Sequence, residues 1–107
     1  MKTTIKQTDE RDAIALAMRA QECLDRGVVF ALYGEREEAA AFYRRALLLD
    51  PGNAMGHYVL GMLLMDVGDR DGALQEWRLT LASTREGSQS EWARHQASTL
   101  LAEHGGD

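Results

Sequence analysis

The sequence repeats with a period of 34 residues, so that Gly27 recurs as Gly61 within similar surroundings. The other corresponding pairs are Ala20 and Ala54, Gly34 and Gly68, Arg36 and Arg70, Ala39 and Ala73, Tyr43 and Trp77, Arg44 and Arg78, and Leu47 and Leu81. A period of roughly 20–50 residues is typical of structural units that stack on one another. The chain is therefore predicted to contain two copies of one unit, residues 20–53 and 54–87.

Each unit is predicted to be a pair of helices. The chain has a single proline and is rich in Ala, Leu, Glu and Arg, a composition that favours helix. Gly34 and Gly68 are each expected to end a first helix, because glycine readily adopts the left-handed conformation that follows a helix. The Asp-Pro-Gly-Asn sequence at 50–53 predicts the turn between the units. The predicted helices span residues 9–33, 36–49, 54–67 and 70–83.

Gly27 and Gly61 fall in the middle of predicted helices, where glycine costs about 1 kcal/mol relative to alanine. That cost is explained if a second helix crosses closely at each glycine. The residues expected to form or flank the crossings are Phe30, Ala39, Tyr43, Leu64, Ala73 and Trp77.

With this arrangement the chain resembles the tetratricopeptide repeat family, whose pattern is an aromatic, Leu-Gly, an aromatic, Ala, an aromatic and a closing Pro. The matching positions in the first unit are Cys23, Arg26, Gly27, Phe30, Ala39, Tyr43, Ala46 and Pro51. Those in the second unit are His57, Leu60, Gly61, Leu64, Ala73, Trp77, Thr80 and Arg85. The sequence departs from the pattern at Cys23, Arg26, His57, Thr80 and Arg85. The resemblance implies an all-α fold of antiparallel helix-pair repeats, an α-solenoid of two units.

The ends of the chain complete a single predicted domain over residues 9–104. A stack of helix pairs does not bury its last face, so a C-terminal capping helix is expected, and residues 88–104 fit that role. Ser88 and Glu91 are spaced as a capping box. The buried stripe of the capping helix is expected to be Trp92, Ala93, Ala97, Leu100 and Leu101.

The two ends beyond this domain are expected to lack fixed structure. Residues 1–8 are predicted to be a disordered tail, and residues 105–107 a frayed end. Residues 9–19 are expected to extend the first repeat helix, with a separate short helix as the alternative.

The charge and hydropathy patterns exclude several kinds of partner. The formal net charge is -5 and the arginines are interspersed with acids, so the basic face of a nucleic-acid binder is missing. The apolar runs are far shorter than the ~20 residues that span a bilayer, so membrane insertion is not expected. The single cysteine excludes an internal disulfide. Because no apolar leader follows the first lysines, the expected location is the cytoplasm.

Catalysis is not expected either. The histidines, His57, His95 and His104, do not form a cluster with zinc-ligand spacing. Cys23 and His57 occupy equivalent places in successive units, on the order of 10 Å apart in a helix stack, so we interpret both as structural. The chain is predicted to have no catalytic residue, no metal and no cofactor.

The resemblance also implies where a partner binds, because first helices line a concave groove in this family. The residues that it places there are Leu24, Val28, Leu32, Met55, Tyr58, Met62, Met65 and Asp66. This surface is mostly apolar and bears three methionines, whose flexible side chains suit adaptable contacts. Leu24 and Val28 occupy the places where some members carry the lysine and asparagine of a carboxylate clamp, so such a clamp is not expected.

The interpretation that follows is a non-catalytic protein–protein interaction module, such as an adaptor, an assembly factor or a chaperone, that binds a partner peptide or helix. Two alternatives account for the same apolar surface. The groove is used for homo-oligomerisation, or it is covered by the ends of the chain itself.

Overall fold

The computed structural model describes the backbone of residues 2–105 and the side chains of residues 9–105, and its regular secondary structure there is helical. The helices are α1 (Lys2–Leu32), α2 (Arg36–Leu49), α3 (Ala54–Asp66), α4 (Arg70–Ala82) and α5 (Ser88–His104). These described residues include no β-strand. The predicted all-α class is therefore confirmed.

The helix boundaries agree with the sequence patterns to within one residue for α2 to α5. Residues 9–32 lie in one uninterrupted helix, so the separate short helix at residues 9–19 is not formed. The helix α1 begins at Lys2, ahead of the expected start near residue 9. Of the predicted disordered tail at residues 1–8, the structure describes only the backbone of residues 2–8, which is helical. Of the predicted frayed end at residues 105–107, it describes only Gly105.

Two glycines end α1 and α3 in the same way. Gly34 has a φ of +78° and Gly68 a φ of +92°, the left-handed conformation that glycine adopts without steric cost. At Gly34 the amide donates to the Ala31 carbonyl over 3.0 Å, and the next amide donates to the Phe30 carbonyl over 2.9 Å. The same two bonds recur at the end of α3. This is the Schellman arrangement, which satisfies carbonyls that a helix end leaves free.

The predicted capping box at the start of α5 is wrong. The residue that precedes the helix is Gly87, and no side chain caps the helix. Gly87 has a φ of +112°, so the chain turns into the helix one residue earlier than expected. Ser88 then already lies in the first helical turn and cannot act as the cap.

The mid-helix glycines lie directly against aromatic rings. A Cβ atom on Gly27 would stand 2.5 Å from Tyr43 Cε1, and one on Gly61 would stand 2.6 Å from Trp77 Cδ1. Ala39 contributes its backbone carbonyl, 3.3 Å from the same point at Gly27. The ring therefore covers the glycine itself, rather than lying beside the crossing as expected. The contact between α1 and α2 recurs 34 residues later between α3 and α4.

The core consists of two clusters that meet at α3. The buried residues of the first cluster are Ala20, Leu24, Ala39, Tyr43, Ala46, Leu60 and Leu63. Those of the second are Ala73, Leu74, Trp77 and Ala97. Leu64 is half-buried and packs against both clusters. Because α3 also contacts α2, α4 and α5, it is the helix around which the others assemble.

The helix α5 packs on α3 and α4 with most of the stripe that was expected. Ala93 and Ala97 are fully buried, and Leu100 and Leu101 are half-buried against the second cluster. Trp92 departs from the expectation because its side chain is 50% exposed. It packs edge-on against Tyr58 at a centroid distance of 5.3 Å.

Arg85 stands where the family pattern expects a closing proline in residues 54–87. It joins the connection between α4 and α5 to the turn at residues 50–53. Its guanidinium donates to both carboxylate oxygens of Asp50, over 3.0 and 2.6 Å. Ser83 Oγ donates to the Gly52 carbonyl over 2.7 Å, and Arg94 donates to the Arg85 carbonyl over 2.7 Å. The Arg85 bonds lower the pKa of Asp50 below its usual value, although burial acts in the opposite direction.

Gly61→Ala is expected to destabilise the fold by about 1–2 kcal/mol, because overpacking against a fully buried ring outweighs the better helix propensity of alanine. Urea unfolding followed by circular dichroism measures this free energy. In a Trp77→Phe background the smaller ring should reduce the cost of the same change. A Gly61→Ala protein more stable than the wild type would contradict the close contact.

Arg85→Gln is expected to lower the free energy of unfolding by about 1 kcal/mol at neutral pH, since it leaves a buried carboxylate without its charged partner. The wild-type contribution is present above the ordinary Asp pKa of 3.8 and is lost as the pH falls through the lower folded value. Unfolding in urea at a series of acidic pH values should show that the free energy of unfolding falls less on acidification in the variant than in the wild type. Arg78→Gln, on an exposed position of α4, is the control, and an equal effect there would contradict the prediction.

Candidate functional site

A groove of about 580 Å³ opens between α1, α3 and α5. Its walls are mainly apolar, and its floor is formed by the aromatic rings that cover the mid-helix glycines. The wall residues are Val28, Ala31, Val59, Met62, Met65 and Leu100. Tyr43 and Trp77 form the floor, and Leu63 of α3, a residue of the first core cluster, lies beside them. Burial raises the pKa of the Tyr43 phenol, so the floor is uncharged at neutral pH.

Charged groups are confined to the edge of the groove where α2 begins and α3 and α5 end. Arg36 donates to Asp66 over 2.6 Å, with both side chains more than half exposed. His104 of α5 lies at the same edge, its ring 6.1 Å from that of Trp77 between centroids. An exposed pair such as Arg36 and Asp66 contributes at most about 1 kcal/mol. Its contribution to the stability of the fold is therefore small.

Two equivalent arginines fasten the helix ends at this edge. Arg36 is the first residue of α2 and binds Asp66, the last residue of α3. Arg70 is the first residue of α4 and donates to the carbonyl of His104, the last residue of α5. In each case the arginine at the start of one helix binds the last residue of the helix that follows it in the chain.

Four of the predicted groove residues line the cavity: Val28, Met62, Met65 and Asp66. Val28 and Met62 are 39% and 43% exposed, so both reach the solvent. These four residues lie on α1 and α3.

The other four predicted residues lie elsewhere. Leu24 is only 2% exposed and belongs to the first core cluster, because it shares with Ala20 and Gly27 the stripe of α1 that is buried. Met55 packs against the same cluster, and Tyr58 packs against the second cluster and Trp92. Leu32 is 80% exposed at the end of α1 and does not line the cavity.

The groove also contains residues that the repeat pattern did not indicate. Leu100 and His104 come from α5, and Arg36 comes from the start of α2. The family pattern assigns the groove to first helices alone, so it carries no information about a capping helix. The apolar stripe of α5 was the one available signal, and it marked Leu100 as buried rather than as part of a wall.

The remaining candidates for chemistry are spread over the molecule. Cys23 is half-buried on α1, and His95 is exposed on α5. Among residues 9–105, no three His, Cys, Asp or Glu side chains are arranged as ligands of a metal ion. In the same part of the chain, no helix has both the length and the apolar character needed to cross a lipid bilayer.

In comparisons with known proteins, the sequence matches no family model and no curated protein. The resemblance to tetratricopeptide repeats therefore depends on the residues of this chain. The most specific of them are the two glycine–aromatic pairs, Gly27 with Tyr43 and Gly61 with Trp77.

The contrast between Leu24 and Val28 is testable by alanine substitution. Leu24→Ala is expected to lower the free energy of unfolding by about 2–4 kcal/mol, since it opens a cavity in the core. Val28→Ala, one turn further on the exposed wall, should cost less than about 1 kcal/mol. Urea unfolding measures both. Equal costs would mean that the boundary between core and groove is misplaced.

Proposed function

We propose that this chain is a non-catalytic protein–protein interaction module of the tetratricopeptide repeat type, which binds a peptide or helix of a partner protein. The observation that carries the proposal is the groove between α1, α3 and α5, whose apolar walls stay open to solvent. Val28 and Met62 stand opposite the floor formed by Tyr43 and Trp77. Apolar surface in a concave site with few polar groups is typical of binding sites.

Recurring contacts support a repeat arrangement of residues 20–53 and 54–87. The glycine–aromatic contact and the Schellman ends of α1 and α3 each occur twice with the offset of the sequence period. The arginines that begin α2 and α4 share this offset, and each binds the last residue of the helix that follows, although the acceptor groups differ. Contacts that recur in three dimensions with the sequence period are expected of stacked units. The helix α5 then serves as the cap, and it also supplies one wall of the groove.

The lining of the groove indicates what it binds. Its volume falls within the roughly 300–1,000 Å³ of ordinary ligand pockets, so it accepts a few anchoring side chains rather than a long segment. Met62 and Met65 are unbranched and flexible, which lets the walls adapt to anchors of different shape. Because the charged side chains of the lining, Arg36 and Asp66, lie at one edge together with His104, the favoured ligand presents apolar anchors with a polar group at one end.

Self-association is the alternative, and one observation favours it. The part of α1 that precedes Ala20 carries Ile14 and Met18, which are 61% and 64% exposed. Large apolar side chains that lie together on a surface often mark an interface. In this alternative the groove of one copy receives an apolar segment of another copy.

Met62→Glu tests the proposal. The carboxylate is solvated in the free protein but must be desolvated when an apolar anchor enters the groove, so capture of the partner should fall at least tenfold, about 1.4 kcal/mol. The measurement is a pull-down from cells of the native organism, followed by titration of the captured protein. Leu48→Glu is the matched control, because Leu48 is 83% exposed on α2 and does not line the groove.

Light scattering after size-exclusion chromatography separates the two candidates. A wild-type monomer whose partner is lost in Met62→Glu supports the interaction module. A wild-type oligomer that dissociates on the same substitution supports self-association. If capture and mass are both unchanged while the circular dichroism spectrum is preserved, the groove is not the binding site.

A further inference from the structure

His57 is held between two acceptors that belong to different parts of the fold. Its Nδ1 lies 2.8 Å from Oε1 of Glu76 on α4, and its Nε2 lies 2.8 Å from the Pro51 carbonyl in the turn before α3. The side chains of His57 and Glu76 are only 13% and 18% exposed. The imidazole therefore bridges the turn between the helix pairs and the second helix of the second pair.

Both contacts require a hydrogen on the ring. A peptide carbonyl and an ionised carboxylate accept hydrogen bonds and do not donate them. A neutral imidazole carries one N–H, whereas the imidazolium carries two. Loss of the proton therefore leaves one nitrogen lone pair facing an oxygen lone pair. The Glu76 side of the site is largely closed to water, whereas the bond to Pro51 lies nearer the surface.

The charges around His57 act in the same sense. Glu76 is the charged residue of α4 that meets it, whereas Arg78 is two positions further and so points away from that side of the helix. In the turn, Asp50 is held by Arg85. On α3 itself, the other charged residue is Asp66 at the far end, bound to Arg36. Burial lowers the pKa of His57, but the bonds to Glu76 and Pro51 and the Glu76 charge together raise it above its usual value.

We propose that His57 is a proton-operated latch between the turn at residues 50–53 and α4. The latch is closed while the imidazole is charged and opens as the pH rises and one of its two bonds is lost. Because the turn joins the first helix pair to the second, the opening loosens α4 against the rest of the fold. The latch does not depend on what the groove binds.

The pH dependence has a defined sign. A pKa raised in the folded state means that the folded protein holds this proton more tightly than the unfolded chain does. The stabilisation is fully present below the ordinary histidine pKa of 6.5 and is lost as the pH rises through the folded value. Well above the folded pKa, the His57 contribution to the free energy of unfolding no longer changes with pH.

The experiment combines nuclear magnetic resonance with denaturation of the whole chain. Long-range ¹H–¹⁵N spectra should show both His57 nitrogens protonated at low pH and give the folded pKa directly. Across the titration, the unfolding equilibrium constant should increase by the ratio of the unfolded to the folded acid dissociation constant. His57→Gln should remove this increase, whereas His95→Gln, at an exposed site on α5, should keep it.

Two further measurements separate a latch from a merely structural histidine. Amide hydrogen exchange of α4, normalised to that of α2, should accelerate above the folded pKa in the wild type but not in His57→Gln. Glu76→Gln retains an acceptor oxygen without the charge, so it should lower the His57 pKa and reduce the pH effect even if His57→Gln does not fold. A His57 that titrates at or below the ordinary value, or an unchanged pH dependence in both variants, overturns the proposal.

Discussion

A glycine pressed against an aromatic ring is the contact on which this fold depends. Gly27 and Gly61 let α1 and α3 approach Tyr43 and Trp77 more closely than any side chain would permit. Each glycine costs about 1 kcal/mol in helix propensity. Burying an aromatic side chain removes roughly 150–250 Å² from water, worth about 4–6 kcal/mol. The exchange is favourable at both sites, and the same rings then form the floor of the groove.

Hydrogen bonds and ion pairs between segments of the chain fix the relative positions of successive helices. Arg36 and Arg70 fasten helix ends at the groove edge, and Arg85 binds the buried Asp50 across the two turns. A proline at position 85 would stiffen the connection but could not form this ion pair. Arg85 instead joins the segment before α5 to the turn before α3 through its ion pair with Asp50.

Features that depend on neighbouring residues could be predicted from the sequence, whereas contacts between residues far apart in the sequence mostly could not. Gly34 and Gly68 control the backbone locally, so the helix ends could be predicted within a residue. A close helix crossing at Gly61 was inferred because the period showed the mid-helix glycine twice, but Trp77 was expected beside this crossing and instead lies directly on the glycine. Leu24 was assigned to the groove by resemblance, although its spacing from Ala20 and Gly27 already indicated the buried stripe. The bond between His57 and Glu76 joins separate helices, and no local pattern predicts it.

The two tryptophans occupy contrasting surroundings, and this makes the molecule its own optical reporter. Trp77 is fully buried, with Nε1 3.4 Å from the Tyr58 carbonyl, whereas Trp92 is half exposed against the Tyr58 ring. Indole emission moves to longer wavelength in water, so the emission of each residue describes a different region. A chain that keeps only Trp77 reports on the dry interior beneath the groove. One that keeps only Trp92 reports on the docking of the last helix, with no dye attached.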